Sequence, residues 1–402
     1  MVLIIRLALI LTLASPTLAT TAQADMKRYD PGASDTEIRI GQTMPYSGPA
    51  SSYSVAAIAQ AAYFASLNDR GGIDGRKIKF ISVDDAYSPP KTVEQTRRLV
   101  ESEEVLLLFQ SLGSATNAAV QKYLNAKHVP QLFVGSGATR FADPTNFPWT
   151  MGWAPGLASE AKGYARYLLA ARPQARIGIL WQNDDLGRDS LTGFREGIGN
   201  HGAAVVKATS FETSDPTVDS QIVQLKAAGA DVVVLLATPK ATAQALRRIS
   251  EIGWKPLILL LYNSSSISGV LKLVGFDRVQ GVISSTYLKD PDDAAWRNDP
   301  AIVAWREWMA KYNASADTHD FLNMYGYANA QTLEYVLRRC GDDLTRENVM
   351  KQASHLDFES PLLLPGISVE TRPNNYRPIK KMQLRKFERD HWVPLEGLVS
   401  GE

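Results

Sequence analysis

Apolar and polar positions along this chain follow one repeating scheme. An apolar strand over 38–43 ends in a Pro/Ser/Gly loop, 44–54, which feeds a helix with Val55, Ile58, Ala59 and Ala62 at helical spacing. Gly71-Gly72 and Asp74-Gly75 break the chain before a second strand at 77–83. Strand, helix and strand with short links predict a βαβ unit and a parallel sheet. The scheme continues with a helix opened by Ser88-Pro89-Pro90 and an unbroken apolar run, 105–109, suited to a strand buried on both faces. A helix over 117–127 and a strand at 131–134 follow.

After a Pro- and aromatic-rich passage, 143–155, the scheme restarts. Strands are predicted at 177–181, 203–207, 232–237 and 257–261, with helices between them. Two similarly built α/β lobes are the economical reading. The remainder holds a strand-like 281–287, helices over 301–312 and 322–339, a helix N-capped by Thr345, and an alternating stretch at 379–387 that reads as an edge strand. In open α/β sheets ligands sit outside the carboxyl ends of the strands, so the strand-exit loops are the candidate site.

Residues 1–24 stand apart from this scheme. Arg6 is their only charge, an apolar run covers 7–13, and Ala22-Gln23-Ala24 fits a small-x-small cleavage pattern, with Ala19 as a rival. The run is too short to span a membrane and reads as a secretory signal peptide. The formal net charge of +1 falls to about zero once Arg6 is removed, which argues against nucleic acid or an anionic membrane as partner. Cys340, the single cysteine, cannot form an internal disulfide and reads as a half-buried residue at a helix end.

Catalytic and cofactor chemistry find little support. The five histidines (128, 201, 319, 355 and 391) sit in no metal-binding motif, and no nucleophile elbow, phosphate loop or dinucleotide fingerprint appears. The pairs Asp84/Asp85 and Asp184/Asp185 suit turns and helix caps. No catalytic function, metal or cofactor is expected. A binding function fits better, because loops 111–116 and 135–139 are rich in Ser, Thr and Gly. Their hydroxyls and bare backbone N–H groups above a helix N-terminus suit a carboxylate.

The runs PYSGPASSY, NDRGGIDGRKI and DD resemble the start of the solute-binding proteins of branched-chain amino-acid-type ABC importers. WQNDDLGRDSLTGF at 181–194, VDSQIVQLKAAGADVVV at 218–234 and YGYANAQTLEYVL at 325–337 continue the resemblance in that family's order. It implies a type I periplasmic binding protein. Such a protein has two Rossmann-like lobes with parallel sheets, here 36–154 plus 288–358 and 155–287 plus 359–402, joined by a three-crossover hinge. The implied role is a periplasmic, monomeric receptor that closes on a small-molecule ligand and delivers it to a membrane permease–ATPase complex. A ligand-sensing receptor for a separate signalling partner is the alternative.

By position, the resemblance sets Tyr53 against the ligand and gives the carboxylate to Leu112, Gly113, Ser114 and Thr116, then Ser136, Gly137, Ala138 and Thr139. The second lobe contributes Asp185, Leu186, Thr238, Tyr262 and Asn263. Tyr46, Trp149, Trp153, Trp181 and Tyr287 lie in or beside segments expected to approach the cleft, and aromatic walls suit a flat apolar body. Two departures matter. Amino-acid-binding members carry a hydroxyl where Gly113 stands, and an acid near 262–263, whereas no Asp or Glu occurs here between Glu251 and Asp277. An unpaired buried ammonium costs roughly several kcal/mol. The expected ligand is therefore a small carboxylic acid without an amine, an aromatic acid being one candidate; a branched-chain or other amino acid is the alternative.

Overall fold

The computed structural model describes residues 27–400; the expected signal peptide, 1–24, lies outside them. A short strand β1 (Arg28–Tyr29) leads into β2 (Glu37–Met44), helix α1 (Ser54–Asp69) and β3 (Lys77–Asp84). Then come α2 (Pro89–Arg97), β4 (Leu107–Phe109), α3 (Ser114–Ala126), β5 (Gln131–Val134) and β6 (Thr150–Gly152). Five of these strands form one sheet in the order β3-β2-β4-β5-β6, with every pairing parallel. Leu107, Leu108 and Phe109 show why β4 reads as a continuous apolar run: all three are buried, as a strand covered by helices on both faces must be.

The chain leaves this sheet at 153–156 and repeats the scheme. Helix α4 (Leu157–Ala171), β7 (Ile177–Gln182), α5 (Asp185–Ile198), β8 (Val205–Phe211), α6 (Asp219–Ala227) and β9 (Val232–Leu236) are followed by α7 (Pro239–Glu251), β10 (Leu257–Leu260), the one-turn α8 (Lys272–Val274) and β11 (Ile283–Thr286). It then returns to the first lobe as α9 (Pro300–Tyr312) and α10 (Phe321–Cys340). Both pack on α1, where Trp308 Nε1 donates to Ser66 Oγ at 3.1 Å and the Tyr63 and Tyr327 rings meet edge-on at 4.9 Å. Gly326 allows the close approach, since a Cβ there would stand 2.4 Å from the Ala56 carbonyl oxygen.

Strand β12 (Asp343–Leu344) pairs with β1, and α11 (Arg346–Ala353) begins as expected with Thr345 Oγ1 accepting the Asn348 N–H. After the small antiparallel pair β13 (Asp357–Phe358) and β14 (Val369–Glu370), the chain crosses to the second sheet for a hairpin, β15 (Lys381–Glu388) and β16 (His391–Ser400). That seven-stranded sheet has the order β16-β15-β11-β10-β9-β7-β8. Strands β7 to β11 run parallel, and the hairpin adds antiparallel strands.

The 379–387 stretch corrects the expectation of an edge strand. β15 is internal, with Met382, Leu384, Arg385 and Phe387 buried, because β16 covers its outer side. Two of the three passages between the sheets pair at Leu288 and Leu363, Trp153 on the other packs against Tyr287, and one apolar cluster runs through both lobes. Among the described residues no helix is long and apolar enough to cross a membrane.

Candidate ligand-binding site

Strand exits from both sheets meet across the cleft around a cavity of about 50 Å³. From the first lobe it is lined by Tyr53, Ala56, Tyr87, Leu112, Gly113, Ser114, Gly135, Ser136, Gly137 and the start of α10, Phe321, Leu322 and Tyr325. The second lobe adds Leu157, Leu186, Thr238, Tyr262 and Asn263. No Asp, Glu, Lys, Arg or His lines it. Its titratable groups are the hydroxyls of Tyr53, Tyr87, Tyr262 and Tyr325, whose pKa values are all raised by burial, so they stay neutral donors and acceptors.

The polar end is built at α3. Leu112 N–H bonds the Thr43 carbonyl and Gly113 N–H the Gly135 carbonyl, which ties the loop to the sheet. Gly113, at φ 104°, is the N-cap and has no side chain to close the helix, so the first-turn amides from Ser114 onward have no intrahelical partner. Ser114 Oγ and Ser136 Oγ lie 2.7 Å apart, and Ser136 Oγ also accepts the Ala138 N–H at 3.1 Å. The two hydroxyls own two protons and their mutual bond uses one. One O–H is left over at the cavity wall beside an open helix N-terminus, a setting that favours an anion.

Across the cleft, Tyr53 Oη donates to the Asn263 carbonyl at 3.2 Å and accepts from Asn263 Nδ2 at 2.8 Å. Tyr325 Oη donates to Gln110 Oε1 at 2.9 Å. Asn263 Oδ1 is buried without a partner. Further links between the lobes flank the cavity: Arg140 Nη1 donates to Asp185 Oδ2 at 2.8 Å, and the Thr139 N–H to Asp189 Oδ2 at 3.1 Å. These bonds describe a closed cleft.

Of the residues expected from sequence, Tyr53, Leu112, Gly113, Ser114, Ser136, Gly137, Leu186, Thr238, Tyr262 and Asn263 meet at this cavity. The others lie off it. Tyr46 is 39% exposed, with its hydroxyl on Ser82 Oγ. Thr116 Oγ1 folds back to the Leu112 carbonyl. Ala138 and Thr139 border a separate crevice beside Tyr376, and Asp185 serves the Arg140 ion pair. Trp153 is fully buried between the Tyr287 and Tyr325 rings, its Nε1 donating to Thr332 Oγ1 at 3.0 Å. Tyr287 stands behind Tyr262, edge-on at 5.5 Å.

Sequence reasoning missed Ala56, Tyr87, Leu157, Phe321, Leu322 and Tyr325. The α10 residues carry a faint signal, since apolar and aromatic residues open a helix just after Asp320, but nothing local ties them to a loop some 200 residues away. The acid-free stretch around 262–263 also needs correction. Glu160 on α4, wholly buried, reaches the back of that wall: its Oε1 accepts the Tyr262 N–H at 2.7 Å and lies 2.6 Å from both Tyr164 Oη and Ser285 Oγ. Burial raises its pKa to about 7, and Oε2 has no partner. It supports the wall and does not line the cavity.

The fold and this cleft define a two-lobed solute-binding protein. The chain matches the periplasmic binding protein family over residues 37–391 and belongs to it. Leu/Ile/Val-binding protein homolog 8 of Brucella abortus (strain 2308) is 23% identical over 328 residues, 77% of either chain. The structure resembles a branched chain amino acid ABC transporter protein from Thermus thermophilus with bound valine, with TM-score 0.81, 15% identity and coverage of 91% and 97% of the two chains. It also resembles an R. palustris solute binding protein in complex with benzoate, with TM-score 0.76, 19% identity and coverage of 90% and 96%. At these identities the two structures speak for the fold.

Proposed function

We propose that this protein is the substrate-binding component of an ABC importer, specific for a small carboxylate that lacks an α-ammonium and has a flat, apolar body. The cavity carries this reading: an open helix N-terminus and a spare serine hydroxyl at one end, aromatic walls around the rest, and no charged side chain on its surface. A carboxylate gains charge-assisted hydrogen bonds there. An ammonium would meet only neutral hydroxyls and amides. The benzoate complex of the R. palustris neighbour is consistent with such a ligand.

The chain is exported through residues 1–24 and works as a monomer in the periplasm. Its lobes, 36–154 plus 288–358 and 155–287 plus 359–402, open and close about the three crossovers and present the closed form to a permease–ATPase complex. Trp153 and Tyr287 brace the wall behind Tyr262 and Tyr325, while Asp185 and Thr139 help to hold the closed state.

One observation favours a second reading. Glu160 lies directly behind Tyr262 with an unpaired oxygen, and a shift of that wall would offer an acid to an amino acid's ammonium. Thermal melting of ligand-stripped protein separates the two. At about 100 times its dissociation constant a ligand adds about 2.7 kcal/mol, which is a shift of several degrees. Shifts with benzoate-like acids and none with valine or leucine are expected. Shifts with the amino acids alone would sink the leading reading.

A further inference from the structure

We propose that Tyr87 sets the selectivity of this cavity: its ring, seated on Gly113, fills the space that a substituent on the carbon next to the ligand's carboxylate would need. The inference rests on the carboxylate reading given above and adds a shape rule to it. The site takes acids that are flat or unsubstituted at that carbon and excludes those branched there.

The ring is held in place by an unusual backbone. Ala86 and Tyr87 both have positive φ, 51° and 58°. For a bulky side chain this conformation is strained and persists only where neighbours enforce it. Here Asp84 Oδ1 accepts the Ala86 N–H and Asp85 Oδ1 the Tyr87 N–H, both at 3.0 Å, while Asp85 Oδ2 accepts from Thr92 Oγ1 at 2.8 Å. The turn after β3 thus aims an aromatic ring into the cleft rather than simply reversing the chain.

Gly113 is the seat. A Cβ built there would stand 2.6 Å from Tyr87 Cε2 and 2.5 Å from Thr116 Oγ1, at a φ of 104° that disfavours any side chain. A residue other than glycine would push the ring away from the helix start. The ring therefore lies against the N-cap of α3, next to Ser114, where the carboxylate and its neighbouring carbon would rest. On its far side the ring faces the second lobe, where Thr238 also lines the cavity. Held by this turn and seated on Gly113, the ring stands in the way of a branched acid. In a cavity of about 50 Å³ one methyl group matters.

The test is calorimetric titration of ligand-stripped protein with matched pairs: phenylacetate against 2-phenylpropionate, and butyrate against 2-methylbutyrate. The wild type is expected to prefer the unsubstituted member of a pair by at least about tenfold. Tyr87→Gly removes the ring and also relieves the positive φ, so it should fold, and the preference should drop to within about twofold. Tyr87→Phe keeps the ring and should keep the preference. Equal binding of paired acids by the wild type, or a preference that survives in Tyr87→Gly, overturns the shape rule and leaves the carboxylate reading standing. No binding of any of these acids overturns both.

Discussion

Helix N-termini reach the cavity from both sides of the cleft, and the start of α3 in the first lobe contrasts with that of α5 in the second. In the first lobe α3 starts at Gly113, which has no side chain to cap it. In the second, α5 is capped by Asp184, whose carboxylate accepts the Leu186 and Gly187 amides. Helix α7 starts with Pro239, which has no N–H, after a Thr238 whose hydroxyl is committed to Gln182. In the first turn of α4, Leu157 N–H is taken by the Gly137 carbonyl. An anion finds open amides at α3 beside the spare hydroxyl of the Ser114–Ser136 pair, which none of these second-lobe helix starts offers. The second lobe is left to contact the body of the solute and to close. Division of labour, rather than symmetry, is what two similar lobes have been put to.

Gly113→Ala breaks this contrast most severely. The new methyl group meets the Tyr87 ring and the Thr116 hydroxyl at a strained φ. Benzoate affinity measured by calorimetry should fall by about a hundredfold or more, with a loss of about 1–3 kcal/mol of stability. Wild-type affinity in this variant would mean that the anion binds elsewhere. Ser136→Ala sharpens the contrast more gently. It deletes half of the hydroxyl pair, and a hydrogen bond to a charged group contributes about 1.5–3 kcal/mol, so a loss of roughly tenfold to a hundredfold is expected. The second-lobe counterpart Thr238→Val should change affinity by less than about threefold, because its hydroxyl is spent on Gln182 and a neutral bond contributes only about 1 kcal/mol.

The smallest effect concerns the charge behind the second wall. Burial lifts the Glu160 pKa to about 7 from the model-compound value of 4.5. Between these values the folded protein holds a proton that the unfolded chain has lost. The stabilising contribution of this proton is complete below about pH 4.5 and declines as pH rises toward 7. In Glu160→Gln that part of the melting-temperature profile should flatten relative to wild type. An unchanged slope would show that Glu160 does not titrate there.

Legibility of the site followed the range of the interactions. The loops at 111–116 and 135–137 could be read because a Ser/Gly-rich exit from a buried strand is a local signal, and so is Thr238 just before Pro239. Tyr87 gives no such signal: positive φ on a tyrosine is enforced by Asp84 and Asp85 and by the empty seat at Gly113, which is distant in sequence. Trp153 and Tyr287 misled for the converse reason. They flank the cleft in sequence, but side-chain packing turned them into the layer behind Tyr262. Glu160 was missed because the search for an acid followed the chain around 262–263, while α4 delivers one from about a hundred residues earlier.

The chain by itself determined the two α/β lobes, the parallel order within each, and the use of strand exits as binding loops. Hydrophobic period and Gly/Pro punctuation are local and repeat in both halves. Only the tertiary structure decided which aromatic rings face the solute, which helix start stays open, and where the buried acid lies. Those outcomes depend on contacts between segments far apart in sequence, and a shift of a few ångströms there exchanges a wall residue for a core residue.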